Sequence, residues 1–585
     1  MNWMHALTLY AVLGGVAQAQ TADERFTALW QQEWAWRLQQ LPLMATSVGV
    51  HTYDDRLDAV GVAAQTARAK HWRAVLADLA RIDPAELSAP QRVNYRIYQA
   101  QLEGLAGDIE LDGYLMPMNS DSAFYSELAS LPRTHPFRDE RDVQNYLARL
   151  RALPAYFEQN IELLQRGLKR GVSVPQVVLS GRDQAIAAVA ELQDPTTSGY
   201  YAPFLQLPAS ISSERASELQ AEAQRVLREA VIPAHQVLLR FMREEYVPKA
   251  RKTLAAYALP QGKAWYRRQI LNFVTEDLSP EAIHQTGLDE VARIRAEMDG
   301  ILEELKFDGD LPAFLRFLRS DPQFYAKTPD ELLAAAAWIA KRADGLLPRY
   351  FGKLPRLPYG VAPVPDAIAP YYTAGRYVPA AEGSREPGWY WVNTYNLPSR
   401  SLYALPALTL HEAVPGHHLQ GALAAEQGEQ PDFRRYTYIS AYGEGWALYA
   451  EELGNEMGIY RTPYERFGQL SYAAWRACRL VVDTGIHTQG WTRQQAVDYM
   501  LANTALSQHE VETEVDRYIS WPGQALSYMI GMIRIRELRR EAETALGARF
   551  DLRAFHDTVL ELGSVPLPLL SEHVRAWIAS QSPAA

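Results

Sequence analysis

Several kinds of protein are excluded by what this chain lacks. Cys478 is its only cysteine, so no intrachain disulfide can form. A chain of this size can bury a core large enough to do without one, so the count bears on neither export nor retention. There is no excess of positive charge. The net charge of −11 leaves no basic footprint for nucleic acid. No apolar run approaches the roughly 20 residues that a membrane-spanning helix needs. No fixed-period repeat, low-complexity tract, Gly/Ser linker or charged linker marks a boundary. These absences favour one integrated unit over a string of modules.

Apolar residues make up 48% of the 585 and charged residues 22%, a balance that supports a packed core and argues against disorder. Residues 1–19, an apolar run ending in Ala17-Gln18-Ala19, read as a secretory signal cleaved after Ala19, which makes the mature protein periplasmic or secreted. Its n-region carries no Lys or Arg; the other reading is a buried N-terminal helix.

Most of the rest reads as helix. Thr328-Pro329-Asp330-Glu331 offers an N-cap, a proline in the first turn and a capping-box glutamate, followed by a helix that Gly345 is expected to stop. Ser279-Pro280-Glu281 and Thr492 with Gln495 are similar starts. Ser213 to Tyr246 is a long amphipathic pattern that Pro233 must kink or divide. The exception is a stretch rich in Pro, Gly and aromatics from Tyr359 to Pro398. Within it Gly388 to Tyr395 is the strongest strand, and Arg376 to Ala381 is placed to pair with it through the Glu382-Gly383-Ser384 turn. Such a sheet either offers an edge to a peptide backbone, with Asn393 and Tyr395 aligning it, or is a structural hairpin. Cys478, in Arg476-Ala-Cys-Arg, reads as a core residue.

The chain has only thirteen histidines, and three of them fall in His411-Glu412-Ala-Val-Pro415-Gly416-His417-His418. These are the ligand types of a zinc site with a general base beside it. The spacing departs from His-Glu-x-x-His, in which two histidines lie one turn apart. On an ideal helix His411 and His418 share a face but lie about 10 Å apart along the axis. His411 and His417 point to different sides. Ligands on one zinc need nitrogens about 3 to 3.5 Å apart. A regular helix therefore fails for either pair. Pro415 cannot donate to the His411 carbonyl and Gly416 tolerates unusual dihedrals, so a two-residue bulge is expected to restore the one-turn relationship between His411 and His417. His418 then points beside the metal, available to substrate or to a carboxylate.

Downstream, Ser440 to Leu453 reads as a buried amphipathic helix, and Glu444 within it is bracketed by Gly443 and Gly445. A buried carboxylate needs a partner, and a metal would be one, which makes Glu444 the third candidate ligand. Glu451, two turns on, is placed to orient a ligand histidine.

His411-Glu412-Ala-Val-Pro-Gly-His417-His418-Leu-Gln followed by Tyr442-Gly-Glu444-Gly-Trp resembles a bacterial family catalogued as a domain of unknown function. That family is similar to the gluzincin metallopeptidases, the helical group of angiotensin-converting enzyme, thimet oligopeptidase and the Taq-type carboxypeptidases. The resemblance runs from Gly49-Val-His-Thr-Tyr-Asp to Pro522-Gly-Gln-Ala-Leu-Ser-Tyr528. It implies a mainly α, two-lobed metallopeptidase-like fold with a small β-sheet near an active-site cleft, with lobes of about 20–350 and 351–585. It also implies a preference for His417 over His418 as ligand, one Zn²⁺ per chain, and a cleft that admits short peptides. Tyr528 matches an oxyanion-binding tyrosine of the oligopeptidases, or else is a packed core residue. The two-residue insertion departs from the better-known relatives.

Among C-terminal candidates, Arg534 is placed either to clamp a substrate carboxylate or on a solvated helix face. Asp483 and His487 are either supporting groups near the metal or substrate, or a satisfied buried pair. The expected function is an exported zinc peptidase with Glu412 as general base. The alternatives are a zinc-dependent amidase or esterase on other substrates and a non-catalytic metal- or peptide-binding protein.

Overall fold

A computed structural model describes residues 20–366, 368–380 and 385–581. The signal-peptide reading of residues 1–19 and the expected turn at Glu382-Gly383-Ser384 lie outside them. Helix accounts for 71% of the chain and strand for 3%, so helix packing, not a sheet, builds the scaffold. One continuous buried apolar cluster runs from Ala22 to Ile578 and draws on residues throughout the chain. Among the described residues no helix is long and apolar enough to cross a membrane.

The expected local signals act where they were read, except at Gly345 and at the capping-box glutamate, Glu331, whose carboxylate accepts from Lys327 N–H and not from Thr328 N–H. In α1 (Pro280–Leu305) the Ser279 hydroxyl accepts from Ala282 N–H, and in α2 (Pro329–Tyr350) Thr328 accepts from Glu331 N–H. Each such cap is worth about 1 kcal/mol. Thr492 and Gln495 form a complete capping box. Gly345 does not end α2, which continues to Tyr350; propensity alone is too weak to stop a helix whose next turn packs Leu347 into the core. The long Ser213–Tyr246 pattern is divided by π-helical turns at Leu227–Val231 and Met242–Tyr246. The first lies just before Pro233, which cannot donate and crowds the carbonyl four residues back.

The sheet has three strands: β1 (Tyr359–Pro363), β2 (Gly375–Val378) and β3 (Gly388–Val392), in the order β1-β3-β2. β2 pairs with β3 antiparallel, as the sequence suggested, while β1 adds a parallel partner that it did not. β3 is therefore central and offers no edge.

After the sheet in the chain come α3 (Leu405–Glu412), α4 (His417–Ala425), α5 (Ser440–Glu456), α6 (Pro463–Gln489), α7 (Gln508–Ser520) and α8 (Ser527–Leu546). Glycines let several of them approach closely. A β-carbon on Gly445 of α5 would meet the Gly531 backbone of α8 at 2.5 Å, and one on Gly287 of α1 would meet Leu480 of α6 at 2.7 Å. The Gly445–Gly531 crossing carries Tyr528, one turn before Gly531, alongside the helix that bears Glu444.

Candidate metal centre

The histidine stretch is two helices, not one. α3 ends at Glu412, and Ala413 leaves helical geometry with φ −94° and ψ −109°. The Val414–Pro415 peptide is cis. α4 starts at His417, where the His418 N–H reaches back to the Ala413 carbonyl at 3.1 Å. The segment between Glu412 and His417 is thus irregular, as the proline required. Gly416 takes up the unusual dihedrals expected of it, φ −77° and ψ −131°, outside the helical and strand regions open to other residues. A β-carbon there would also collide with the His411 and Leu410 carbonyls, so close approach adds a second demand for glycine. Trp446 Nε1–H, from α5, donates to the Pro415 carbonyl at 2.8 Å and ties the break to the helix that carries Glu444.

This break brings His411 and His417 together. Their rings lie 4.8 Å apart and perpendicular. His411 Nε2 is 3.5 Å and His417 Nε2 3.4 Å from the same oxygen, Glu444 Oε2. One donor atom from each residue lies within 4.8 Å of the others. Those distances are long for direct hydrogen bonds. The two histidine–Glu444 distances match the separation of about 3.3 Å between donors that share one tetrahedral zinc with bonds near 2.0 to 2.1 Å. Glu451 stands behind His411, its Oε1 2.7 Å from His411 Nδ1, which leaves Nε2 to face Glu444. Tyr460 holds the Glu451 backbone carbonyl from the other side at 2.6 Å. Glu412 completes the site. Its Oε2 accepts the Tyr377 N–H of β2 at 2.7 Å, so the sheet holds the carboxylate beside the triad.

Electrostatically the centre is acidic: Glu412, Glu444 and Glu451 converge on two imidazoles. Burial works against a charge on either His411 or Glu444. It is outweighed in His411 by Glu444 and Glu451, which hold the imidazole up to about 10. It is outweighed in Glu444 by His417 and His411, which hold the carboxyl well below the usual range. A surplus of carboxylates around two nitrogen donors is compensated naturally by a divalent cation, so these residues fit a zinc ion.

Tyr528 is buried on α8, with the Arg479 guanidinium 4.3 Å from its ring centre. Tyr438, on the loop before α5, was not singled out from the sequence. It keeps 57% of its surface exposed, yet its hydroxyl turns inward over Gly443, where a β-carbon would collide with it. The protein packed around that hydroxyl, followed by the charge of Glu444, pushes the phenol well above its ordinary value. No sequence periodicity marks this residue; it lies in a loop six positions before Glu444.

Other candidates are placed elsewhere. His418 is not beside the triad: it is 1% exposed, wedged against Tyr359 and Tyr377, and burial pushes it down to about 4. Asn393 is fully buried and spends its side chain on the carbonyls of Ala369, Tyr372 and Thr373 and on Tyr395 N–H, which leaves nothing for a peptide. Tyr395 is exposed, but beyond the end of a central strand. Arg534 is committed to Glu276 at 3.0 Å and Glu537 at 2.9 Å. Among the described residues, no hydrogen bond joins Asp483 or His487 to the triad or to each other. Asp483 accepts from Tyr266 at 2.5 Å and Gly523 N–H at 3.1 Å, and His487 bridges Ala256 N–H and the Tyr518 carbonyl. They support the turn that precedes Tyr528. Cys478 is buried, and that burial pushes its thiol up, in keeping with a core role. The Gly49–Asp54 stretch is engaged with Thr46 and Arg149.

The chain is similar to two solved structures over nearly its whole length. A "putative lipoprotein" from Colwellia psychrerythraea is 28% identical, with 96% of this chain and 100% of that one covered and a TM-score of 0.89. A "putative lipoprotein of unknown function" from Shewanella oneidensis is 19% identical, with 95% and 99% covered and a TM-score of 0.70, a likeness of fold alone. No curated protein matches. The profile of one family matches residues 42–574, which span the triad, Glu412, Glu451 and Tyr528. The chain therefore belongs to the family described as a bacterial protein of unknown function, DUF885.

Proposed function

We propose that this protein is a zinc-dependent peptidase, built as a two-lobed gluzincin-like hydrolase, that cleaves short peptides by activating water. The observation that carries the reading is the convergence of His411 Nε2 and His417 Nε2 on Glu444 Oε2 at 3.4–3.5 Å, with Glu451 orienting His411. His411, His417 and Glu444 would hold the ion. Bound there, zinc would acidify a water molecule and polarise a carbonyl oxygen. Glu412, held by the Tyr377 N–H, accepts the proton from the attacking water and returns it to the leaving amine. The Tyr528 hydroxyl donates to the oxygen on which negative charge develops, with Tyr438 facing the same carboxylate ligand.

A binding protein has no need of a base at Glu412, next in sequence to a ligand, which favours hydrolysis over simple capture. Export accords with the two lipoprotein-named structural relatives. The test is direct. Purified protein is expected to carry about one zinc per chain and to cleave short peptides, with cleavage abolished by a chelator and restored by zinc. Protein without stoichiometric metal, or cleavage indifferent to the chelator, overturns the reading.

A further inference from the structure

Near the triad, α6 carries two arginines that the hydrolytic reading does not use. Arg476 is 5% exposed and Arg479 2%. Burying a guanidinium is costly unless its charge and its N–H groups are answered. Arg479 is answered in part: its Nη2 donates to Glu514 at 2.7 Å and its Nε to the Tyr518 hydroxyl at 2.9 Å, while Nη1 has no partner. Arg476 is answered less. Its nearest carboxylate oxygen, Glu451 Oε1, is 3.8 Å from Nη2 and is already engaged by His411 at 2.7 Å. Its Nη1 reaches only the Tyr472 carbonyl, at 3.5 Å, and Nε has no partner.

Both side chains are held in place by aromatic faces. The Arg476 guanidinium lies 4.0 Å from the Trp475 ring and 5.9 Å from Tyr528, and that of Arg479 lies 4.6 Å from Trp475 and 4.3 Å from Tyr528. Tyr528 thus touches both cations. Glu451 joins Arg476 to the ligand His411. Two buried, incompletely satisfied guanidiniums, one of them 3.8 Å from the carboxylate that orients His411, describe a seat for an anion. The groups left without partners, Arg479 Nη1 and Arg476 Nε, suit a carboxylate, the charged group that a peptide with a free C-terminus offers.

We propose that Arg476 and Arg479 bind the free C-terminal carboxylate of the peptide, so that the protein removes residues from that end. This deepens the peptidase reading and rests on it for the chemistry, though not for the binding. The role the sequence suggested for Arg534 passes to arginines on another helix.

The experiment measures binding by calorimetry to zinc-loaded E412Q protein, using three probes of one length: an N-acetyl tripeptide ending in free Ala, the same peptide as its C-terminal amide, and an amide with Glu in the last position. The free acid is expected to bind at least about tenfold more tightly than the plain amide, the scale of one charge-assisted hydrogen bond. In R479Q and R476Q that advantage falls away while the amide's affinity is unchanged. Equal binding of acid and plain amide by the parent protein overturns the proposal without recourse to any variant. Preference for the Glu amide over the free acid assigns the seat to an acidic side chain and also overturns the C-terminal claim. Chelator-treated protein separates the two readings. If it still prefers the acid while no peptide is ever hydrolysed, the carboxylate seat stands and the peptidase reading falls.

Discussion

The Tyr377 backbone N–H donates to Glu412 Oε2 at 2.7 Å, joining strand β2 to the last residue of α3. A strand that reads as a hairpin arm thereby orients the carboxylate proposed as base, through a bond that no substitution at Tyr377 other than proline removes.

Because Glu412 is held there without being one of the three converging donors, Glu412→Gln is expected to keep the zinc and lose at least about a hundredfold in kcat, the low end for general-base catalysis. Metal analysis with peptide turnover on the same preparation checks this. Full activity in the variant removes Glu412 from the mechanism.

Glu451→Gln weakens the orientation of His411 without touching any of the three converging donors. Zinc affinity is expected to fall about 10- to 100-fold, as for other groups that orient a metal ligand. Competition against a chelator of known affinity reads the change. Unaltered affinity would make the 2.7 Å contact merely structural.

Tyr528→Phe removes one hydroxyl and keeps the ring on which Arg479 stacks. A drop in kcat of about a hundredfold with KM little changed is the expected signature of a donor used in the transition state. Arg534→Ala, in a partly buried ion cluster with Glu276 and Glu537, is expected to leave both constants near their original values.

Gly445→Ala places a methyl group against the Gly531 backbone, where neither helix can yield by a side-chain rotation. Overpacking of this kind costs about 1 to 3 kcal/mol. Because the crossing also sets Tyr528 beside the helix of Glu444, thermal stability and kcat fall together. Gly458→Ala serves as a reference: with φ +66° and open space around it, it strains the backbone without touching the crossing.

Asp483 is expected to give the stability a pH dependence. Burial, only partly offset by Tyr266 and the Gly523 N–H, pushes its carboxyl up to about 7. Between the unfolded value near 3.9 and 7, the folded protein holds a proton that the unfolded chain has released. Its contribution is therefore fully present below about pH 3.9 and is lost as pH rises through 7, by about 1.4 kcal/mol per unit. Asp483→Asn lacks that slope. Urea unfolding at about pH 5, 6 and 7 should show the wild type losing ground relative to the variant as pH rises. Parallel profiles would mean that the carboxyl is ionised throughout.

The sequence was informative wherever chemistry is local. Caps at Ser279, Thr328 and Thr492 act through bonds three residues long, so they can be read directly. Pro415 had to break the helix because a missing N–H and a ring clash are properties of the residue itself. Glu444 between two glycines announced a buried carboxylate in need of a partner. Gly345 was misread because a single glycine costs only about 1 kcal/mol, less than the packing of the turn beyond it.

What the chain could not disclose by itself was which side chains meet across helices. His417 and His418 are adjacent and chemically identical, and only the path of the backbone through Ala413–Gly416 turns one toward Glu444 and the other toward Tyr359 and Tyr377. Arg476, Arg479 and Tyr438 carry no local pattern that distinguishes them from surface cations or a loop aromatic, and Asn393 looked available until its donors were found on three backbone carbonyls. The residue types of the proposed metal site, the helical character and the place of the break were thus determined by sequence alone, because each follows from one residue and its near neighbours. The tertiary structure decided which of these groups converge, because that depends on contacts such as Gly445 against Gly531 and Trp446 against Pro415, made between segments many residues apart.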